Sequence, residues 1–158
     1  MSKIVFLDYD GVVNRKMWTC LAGRWVCRYG YPEDGCVNDG QAVQWVSEFC
    51  EKYGFDIVVT STWRKYPEWE ISLRGGGLRD SVKIVGATPL PTKDRADEIS
   101  EYLASHPEIE EYLVFDDKET LGQSVHSPRL VLCKKERGFG EEEYDLAADI
   151  YLKGAKKQ

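Results

Sequence analysis

Residues 3–14 read KIVFLDYDGVVN, and the fold and chemistry of the chain are decided here. The apolar run IVFL is typical of a buried strand, and Asp8 and Asp10 follow it directly. Side chains two residues apart on an extended backbone point to the same face, so the two carboxylates should converge unless Gly11 marks a sharp turn. Converging carboxylates either share a proton or bind a cation. We favour a hard divalent cation such as Mg²⁺, which prefers oxygen ligands.

The composition is that of a globular protein and not of a disordered or membrane-spanning one. The chain has 158 residues, of which 42% are hydrophobic and 12% aromatic, so we expect one domain over residues 1–158. Its net charge of −6 argues against a protein that coats nucleic acid mainly through electrostatic attraction. A local basic patch is still compatible with this net charge. We find no apolar run of about 18 residues and no signal-peptide pattern. We therefore expect a cytoplasmic protein without a membrane partner, and its oligomeric state stays open.

The five cysteines do not form a recognisable metal-binding or disulfide pattern. No Cys-x-x-Cys pair occurs, and neither histidine lies near the first three cysteines. We favour reduced and mostly buried thiols, while zinc bound by Cys20, Cys27 and Cys36 stays open.

Strand and helix patterns alternate along the chain. After the first strand we predict strands at residues 55–59, 82–85, 111–115 and 129–133. We predict helices near 39–52, 67–73 and 141–152, and a third helix that residues 92–95 open and that ends before Pro107. Such alternation is typical of an α/β fold with a mainly parallel five-stranded sheet and helices on both faces. Ligands of these sheets bind at the carboxyl ends of the strands.

Polar residues follow several of these predicted strands. Thr60 and Ser61 could bind an anion or simply cap a turn, and a cation at the start of the third helix could lie in the site or on the surface. The candidates at this edge of the sheet are Asp8, Asp10, Thr60, Ser61, Lys93, Arg95, Asp116 and Asp117.

Residues 15–39 form a basic, aromatic and glycine-containing segment that begins beside the two aspartates. A hairpin is expected, with residues 18–20 paired with residues 25–27. The segment could be a small flap over the site, or a loop whose aromatic side chains close one end of the core. As a flap, it would place Arg24 and Trp25 where they can contact phosphate and stack on a base.

The order of these motifs resembles the haloacid dehalogenase (HAD) superfamily of phosphohydrolases, over residues 3–152. The motifs are Asp-x-Asp-Gly at residues 8–11, then Thr or Ser, then Lys or Arg, then paired Asp. Within the superfamily, VTSTWR at residues 59–64 and Gly-Phe-Gly at 138–140 resemble the small phosphatase-type domains related to RNA-repair (Swiss Army Knife) proteins. The resemblance implies a Rossmann-like three-layer sandwich with a minimal cap.

The resemblance also implies roles for the candidates. Asp8 would be the nucleophile that forms an aspartyl-phosphate, and Asp10 the general acid and base. Magnesium would be held by Asp8, by the backbone carbonyl of Asp10 and by Asp116, with Asp117 orienting the site or holding a metal-bound water. Thr60, Ser61 and either Lys93 or Arg95 would bind the phosphate.

The expected function is a magnesium-dependent phosphatase. The second acid favours phosphatase or phosphotransferase chemistry over dehalogenation, and the minimal cap favours an open site for a nucleotide or a nucleic-acid terminal phosphate. Two alternatives fit the same residues. One is a catalytically inactive binding module with the same fold, and the other is a phosphatase that acts on phosphoproteins or small metabolites.

Overall fold

A computed structural model describes residues 2–14, 17–21, 23–28, 40–65, 69–89 and 94–156. Seven strands and four α-helices lie within these ranges. In chain order they are β1 (Ser2–Leu7), β2 (Met17–Leu21), β3 (Arg24–Arg28), α1 (Gly40–Tyr53), β4 (Asp56–Val59), α2 (Trp69–Gly75), β5 (Ile84–Ala87), α3 (Arg95–Ser105), β6 (Ile109–Asp116), β7 (Leu130–Leu132) and α4 (Glu141–Lys156). Short 3₁₀ segments follow β4, as Thr62–Lys65, and β6, as Glu119–Gln123 and Ser127–Arg129.

Five of the strands form one sheet in the order β5-β4-β1-β6-β7. All four strand pairs are parallel, which confirms the predicted α/β class. The chain runs outward from β1 to β5 on one side and returns to β6 and β7 on the other. The order therefore reverses between β1 and β6, where sheets of this kind bind their ligands.

The sheet is covered on both faces, because successive strand residues point to opposite sides. In β1, Val5 and Leu7 join the cluster that includes residues of α1, α2 and α4. Ile4 and Phe6 join the opposite cluster, which includes Ile99 of α3. These two cores make the three-layer arrangement expected of this fold.

At the carboxyl edge, the hydrogen bonds of the sheet continue one residue past several strands. The amide of Asp8 donates to the carbonyl of Phe115 at 3.0 Å, and the amide of Thr60 donates to the carbonyl of Leu7 at 2.9 Å. Thr88 continues β5 in the same way, through a 3.0 Å bond to the carbonyl of Val59. The residues that follow different strands therefore lie side by side along the carboxyl edge of the sheet.

The predicted hairpin is confirmed as an antiparallel pair separate from the main sheet. In it, Trp18 pairs with Cys27 and Cys20 pairs with Trp25. Residues 15–16, 22 and 29–39 lie outside the described residues, so the predicted flap over the site stays a prediction.

Some boundaries differ from the predicted ones. The third strand of the sheet begins at Ile84 and not at Val82, because the amide of Val82 closes a turn onto the carbonyl of Arg79 at 3.0 Å. Helix α3 begins at Arg95, since the side chain of Asp94 caps it by accepting a hydrogen bond from the amide of Asp97. Among the described helices, none combines the length and the apolar character that crossing a membrane requires.

The two cysteines whose side chains are described are buried free thiols, Cys50 and Cys133. Burial raises the pKa of both thiols, so they are packing residues with little thiolate character. The side chains of Cys20, Cys27 and Cys36 lie outside the described residues, and their role stays open.

Candidate active site

A tight turn follows Asp8 and separates it from Asp10. The carbonyl of Tyr9 accepts hydrogen bonds from the amides of Val12, Val13 and Asn14, at 3.0, 2.9 and 2.8 Å. The carboxylate of Asp10 is partly exposed and accepts a 2.8 Å hydrogen bond from Nδ2 of Asn14. The simple extended geometry, in which both carboxylates would share one face, is therefore replaced by the turn that Gly11 signals.

Asp8 instead faces two acids from β6 and the residue after it. Carboxylate oxygens of Asp8, Asp116 and Asp117 all lie within 4.8 Å of one another. Asp8 and Asp116 are buried and Asp117 is half-buried. The group lies between β1 and β6, where the strand order of the sheet reverses. The carboxylate of Asp10 is not a member of this group.

Arg95 is the cation that the structure places against these acids. Its Nη1 lies 2.5 Å from Oδ2 of Asp116 and 3.6 Å from Oδ1 of Asp8. Its side chain is only 6% exposed, which excludes a solvated surface charge. Burial by itself lowers the pKa of Arg95, but the charges of Asp8 and Asp116 reverse this effect and raise it. Lys93, the other candidate, lies outside the described residues.

The side chain of Asp117 lies directly against the backbone of Gly11. Gly11 has a φ of +81°, and a Cβ atom there would lie 2.4 Å from Oδ2 of Asp117. Any larger residue at position 11 would therefore collide with the carboxylate and strain the backbone. The acid next to it, Asp116, accepts a 3.0 Å hydrogen bond at Oδ1 from the amide of Lys118, and this bond orients the Asp116 carboxylate.

The acids fit a bound Mg²⁺ by their chemistry and by their electrostatics. Burial and then the charge of Asp116 raise the pKa of Asp8 well above its usual value, and the same two causes raise the pKa of Asp117. A nearby cation would relieve this repulsion, and an oxygen-only donor set is the one that Mg²⁺ prefers. Asp8, Asp116 and Asp117 are thus the side chains that could hold the metal.

Thr60 and Ser61 occupy the neighbouring strand end and are fully buried. The Oγ1 atom of Thr60 is buried without a hydrogen-bond partner among the described residues. A buried hydroxyl of this kind needs a partner, and a ligand oxygen beside Asp8 could supply it. Thr60 could therefore bind an oxygen of a ligand there, and Ser61 follows it in the chain.

Three site residues were missed by the sequence analysis. Arg64 and Thr88 lie close to the ends of β4 and β5, and Glu98 lies one turn into α3. Nη1 of Arg64 donates to Oε1 of Glu98 at 2.8 Å and also bonds Oγ1 of Thr88. Oε2 of Glu98 lies 3.5 Å from Nε of Arg95, so one carboxylate connects the two arginines. The available signals were the strand-end positions of Arg64 and Thr88 and the (i, i+3) spacing of Glu98 from Arg95.

The two hairpin residues expected to contact a phosphate and a base lie on β3. The backbone of Arg24 pairs with Leu21, and that of Trp25 pairs with Cys20. Their side chains lie outside the described part of the chain, so their contribution to the site stays a prediction.

The family model of the HAD domain in Swiss Army Knife RNA repair proteins matches residues 4–144. The matched region includes Asp8, Thr60, Arg95 and Asp116. Neither the curated proteins nor the solved structures gave a match.

Proposed function

Since this chain belongs to the family of HAD domains found in Swiss Army Knife RNA repair proteins, we propose that it is a magnesium-dependent phosphohydrolase. The observation that carries the proposal is the grouping of Asp8 with Asp116, Asp117 and Arg95 at the carboxyl ends of β1 and β6. A buried carboxylate beside further acids and a buried cation suits attack on a phosphate better than it suits packing. Membership of the family supports the same reaction class.

Asp8 is the proposed nucleophile. An electron pair of its carboxylate forms a bond to phosphorus while the bond from phosphorus to the leaving oxygen breaks, which gives an aspartyl-phosphate. Water then attacks phosphorus, releases inorganic phosphate and restores the Asp8 carboxylate. Burial and Asp116 raise the pKa of Asp8, and the cation of Arg95, 3.6 Å from Oδ1, opposes them by favouring the ionised carboxylate.

Asp10 is the proposed general acid and base. It would give a proton to the leaving oxygen in the first step and take one from water in the second. Partial exposure suits a group that exchanges protons with solvent, and the hydrogen bond from Asn14 holds its carboxylate in place. Asp8 has no such exposure, so the two aspartates are suited to different tasks.

The remaining groups would bind the phosphate and the metal. Thr60, Ser61 and Arg95 would donate hydrogen bonds to the phosphate oxygens. The carboxylates of Asp8, Asp116 and Asp117, with the backbone carbonyl of Asp10, would hold Mg²⁺. When bound, the ion supplies positive charge that stabilises the developing negative charge of the transition state.

For the substrate we propose a nucleotide or a terminal phosphate of a nucleic acid. The support is the composition of the β2–β3 hairpin, where Arg24 and Trp25 combine a cation with a large aromatic ring. Aromatic side chains stack on bases of any sequence, and arginine contacts phosphate. The family's occurrence in RNA repair proteins is consistent with this substrate class.

Turnover of an aryl phosphate by the purified chain tests the reaction. We expect hydrolysis that requires Mg²⁺ and that is abolished in Asp8→Asn. A robust rate in Asp8→Asn would remove Asp8 as the nucleophile. Beryllium fluoride, which forms an adduct with a nucleophilic aspartate, should bind the wild type and not Asp8→Asn. If the wild type shows neither turnover nor the adduct, the inactive binding module is the better description.

The substrate class needs a separate experiment. A screen would compare nucleotides, 3′- and 5′-phosphorylated oligonucleotides, sugar phosphates and phosphopeptides. We expect Arg24→Ala and Trp25→Ala to reduce activity on oligonucleotide phosphates more than activity on the aryl phosphate. Equal effects on both would give the hairpin a structural role only, and preference for phosphopeptides or sugar phosphates would support the alternative substrates.

A further inference from the structure

Arg64 is a buried arginine of the site that is only partly paired. It lies in the 3₁₀ segment Thr62–Lys65 after β4, and its side chain is 3% exposed. Nη1 is bonded to Glu98 and Thr88. Nε and Nη2 are both buried and have no hydrogen-bond partner within the described ranges.

The two unpaired nitrogens form one edge of the guanidinium. In an arginine side chain Nη1 is on the same side as Cδ, so Nη2 lies beside the N–H of Nε. These two parallel donors make the edge that binds two oxygens of a carboxylate or a phosphate. Charged donors that are buried without an acceptor are costly to a folded protein. The arrangement is therefore that of an arginine whose second partner is a ligand.

The surroundings of Arg64 connect it to the phosphate site. Oγ1 of Thr60, four residues earlier, is also buried without a partner among the described residues. Glu98 contacts Arg64 through one oxygen and lies 3.5 Å from Arg95 through the other, so the two guanidinium groups flank the same carboxylate. The charge of Asp8 is close enough to Arg64 to affect its pKa, which burial lowers.

The net charge of this group also favours a second cation, besides Arg95, for binding the phosphate. Asp8, Asp116, Asp117 and Glu98 share the site with Arg95 and Arg64. Full ionisation of these side chains leaves an excess of two negative charges, which one Mg²⁺ would offset. An incoming phosphate dianion then needs donors of its own, and Arg95 is already engaged by Asp116.

We propose that the Nε–Nη2 edge of Arg64 binds two nonbridging oxygens of the phosphoryl group that Asp8 attacks. This inference rests on the proposed function and adds a specific phosphate-binding residue to it. Glu98 is a positioning residue here, because its carboxylate holds the opposite corner of the Arg64 guanidinium and leaves the bidentate edge open to the ligand.

Binding of inorganic phosphate in the presence of Mg²⁺, measured by calorimetry, tests this without requiring turnover. Arg64→Gln removes both donors, and Arg64→Lys keeps the charge but loses the bidentate edge. We expect phosphate affinity to fall about 30-fold or more in Arg64→Gln, and by less in Arg64→Lys. Arg79→Gln is the matched control, because Arg79 pairs with Glu51 and its side chain is 48% exposed.

Four outcomes decide the proposal. A loss of phosphate affinity in both Arg64 variants, larger in Arg64→Gln than in Arg64→Lys and with Arg79→Gln unchanged, supports it. Wild-type affinity in a folded Arg64→Lys or Arg64→Gln protein overturns it. A loss confined to substrates with a second phosphate, with inorganic phosphate and the aryl phosphate unaffected, also overturns it. Arg64-dependent phosphate binding in a wild-type protein without any phosphatase activity would support the phosphate site and overturn only the proposed reaction.

Discussion

Nη1 of Arg95 lies 2.5 Å from Oδ2 of Asp116, and this buried ion pair joins the first turn of α3 to the end of β6. It also brings the guanidinium within 3.6 Å of Asp8. The pair therefore has two consequences. It joins α3 to the edge of the sheet, and it places a positive charge beside the proposed nucleophile.

Removal of the Arg95 charge should destabilise the protein strongly. In Arg95→Gln the buried carboxylates of Asp8 and Asp116 lose their compensating cation, and we expect the free energy of unfolding to fall by about 3–5 kcal/mol. Arg79→Gln, which breaks an exposed pair, should change it by no more than about 0.5 kcal/mol. Denaturant unfolding measures both. Equal stability of the two variants would contradict the buried compensation inferred for Arg95.

Magnesium should raise the melting temperature of the wild type. The ion would bind the folded state through carboxylates that repel one another without it, and a concentration of 100 times the dissociation constant would stabilise the fold by about 2.7 kcal/mol. We expect the shift to be lost in Asp116→Asn. Asp149→Asn is the control, since Asp149 is an exposed partner of Lys153 on α4. A full shift in Asp116→Asn would place the metal elsewhere.

Gly11→Ala should strain the backbone and displace the carboxylate of Asp117. Its φ of +81° costs an L-residue about 1–2 kcal/mol, and the new Cβ would meet Oδ2 of Asp117 at 2.4 Å. Gly54→Ala is the matched control, with a φ of +75° and its nearest contact at 3.5 Å, an ordinary van der Waals distance, to Nζ of Lys3. We expect the two variants to share the backbone penalty, and only Gly11→Ala to lose the thermal shift produced by Mg²⁺. The same Mg²⁺ response in both variants would show that Asp117 does not take part in metal binding.

The sequence predicts the strand ends of this site better than it predicts the contacts made there. The buried run before Asp8 and the paired acids at the end of β6 identify two neighbouring strand ends without any structure, because buried strands have a strong apolar signature. The choice between Lys93 and Arg95 depends on where α3 begins, which the local hydrogen bond of Asp94 decides. Arg64 lies in a 3₁₀ turn, where no periodicity indicates the direction of a side chain.

The effect of Asp10→Asn on kcat should depend on the leaving group of the substrate, if Asp10 is the general acid. Loss of a general acid typically costs about 10²- to 10⁴-fold in rate, but a good leaving group departs with little need of a proton. We therefore expect kcat on an alkyl phosphate to fall by at least about 10². The fall on an aryl phosphate with an acidic phenol should be much smaller. The hydrogen bond from Asn14 provides a graded comparison, because Asn14→Ala removes one hydrogen bond to the Asp10 carboxylate but keeps the acid, and it should show the same trend more weakly. Equal losses on both substrates in Asp10→Asn would show that Asp10 acts through the position of the metal or of Asp8 and not by proton transfer.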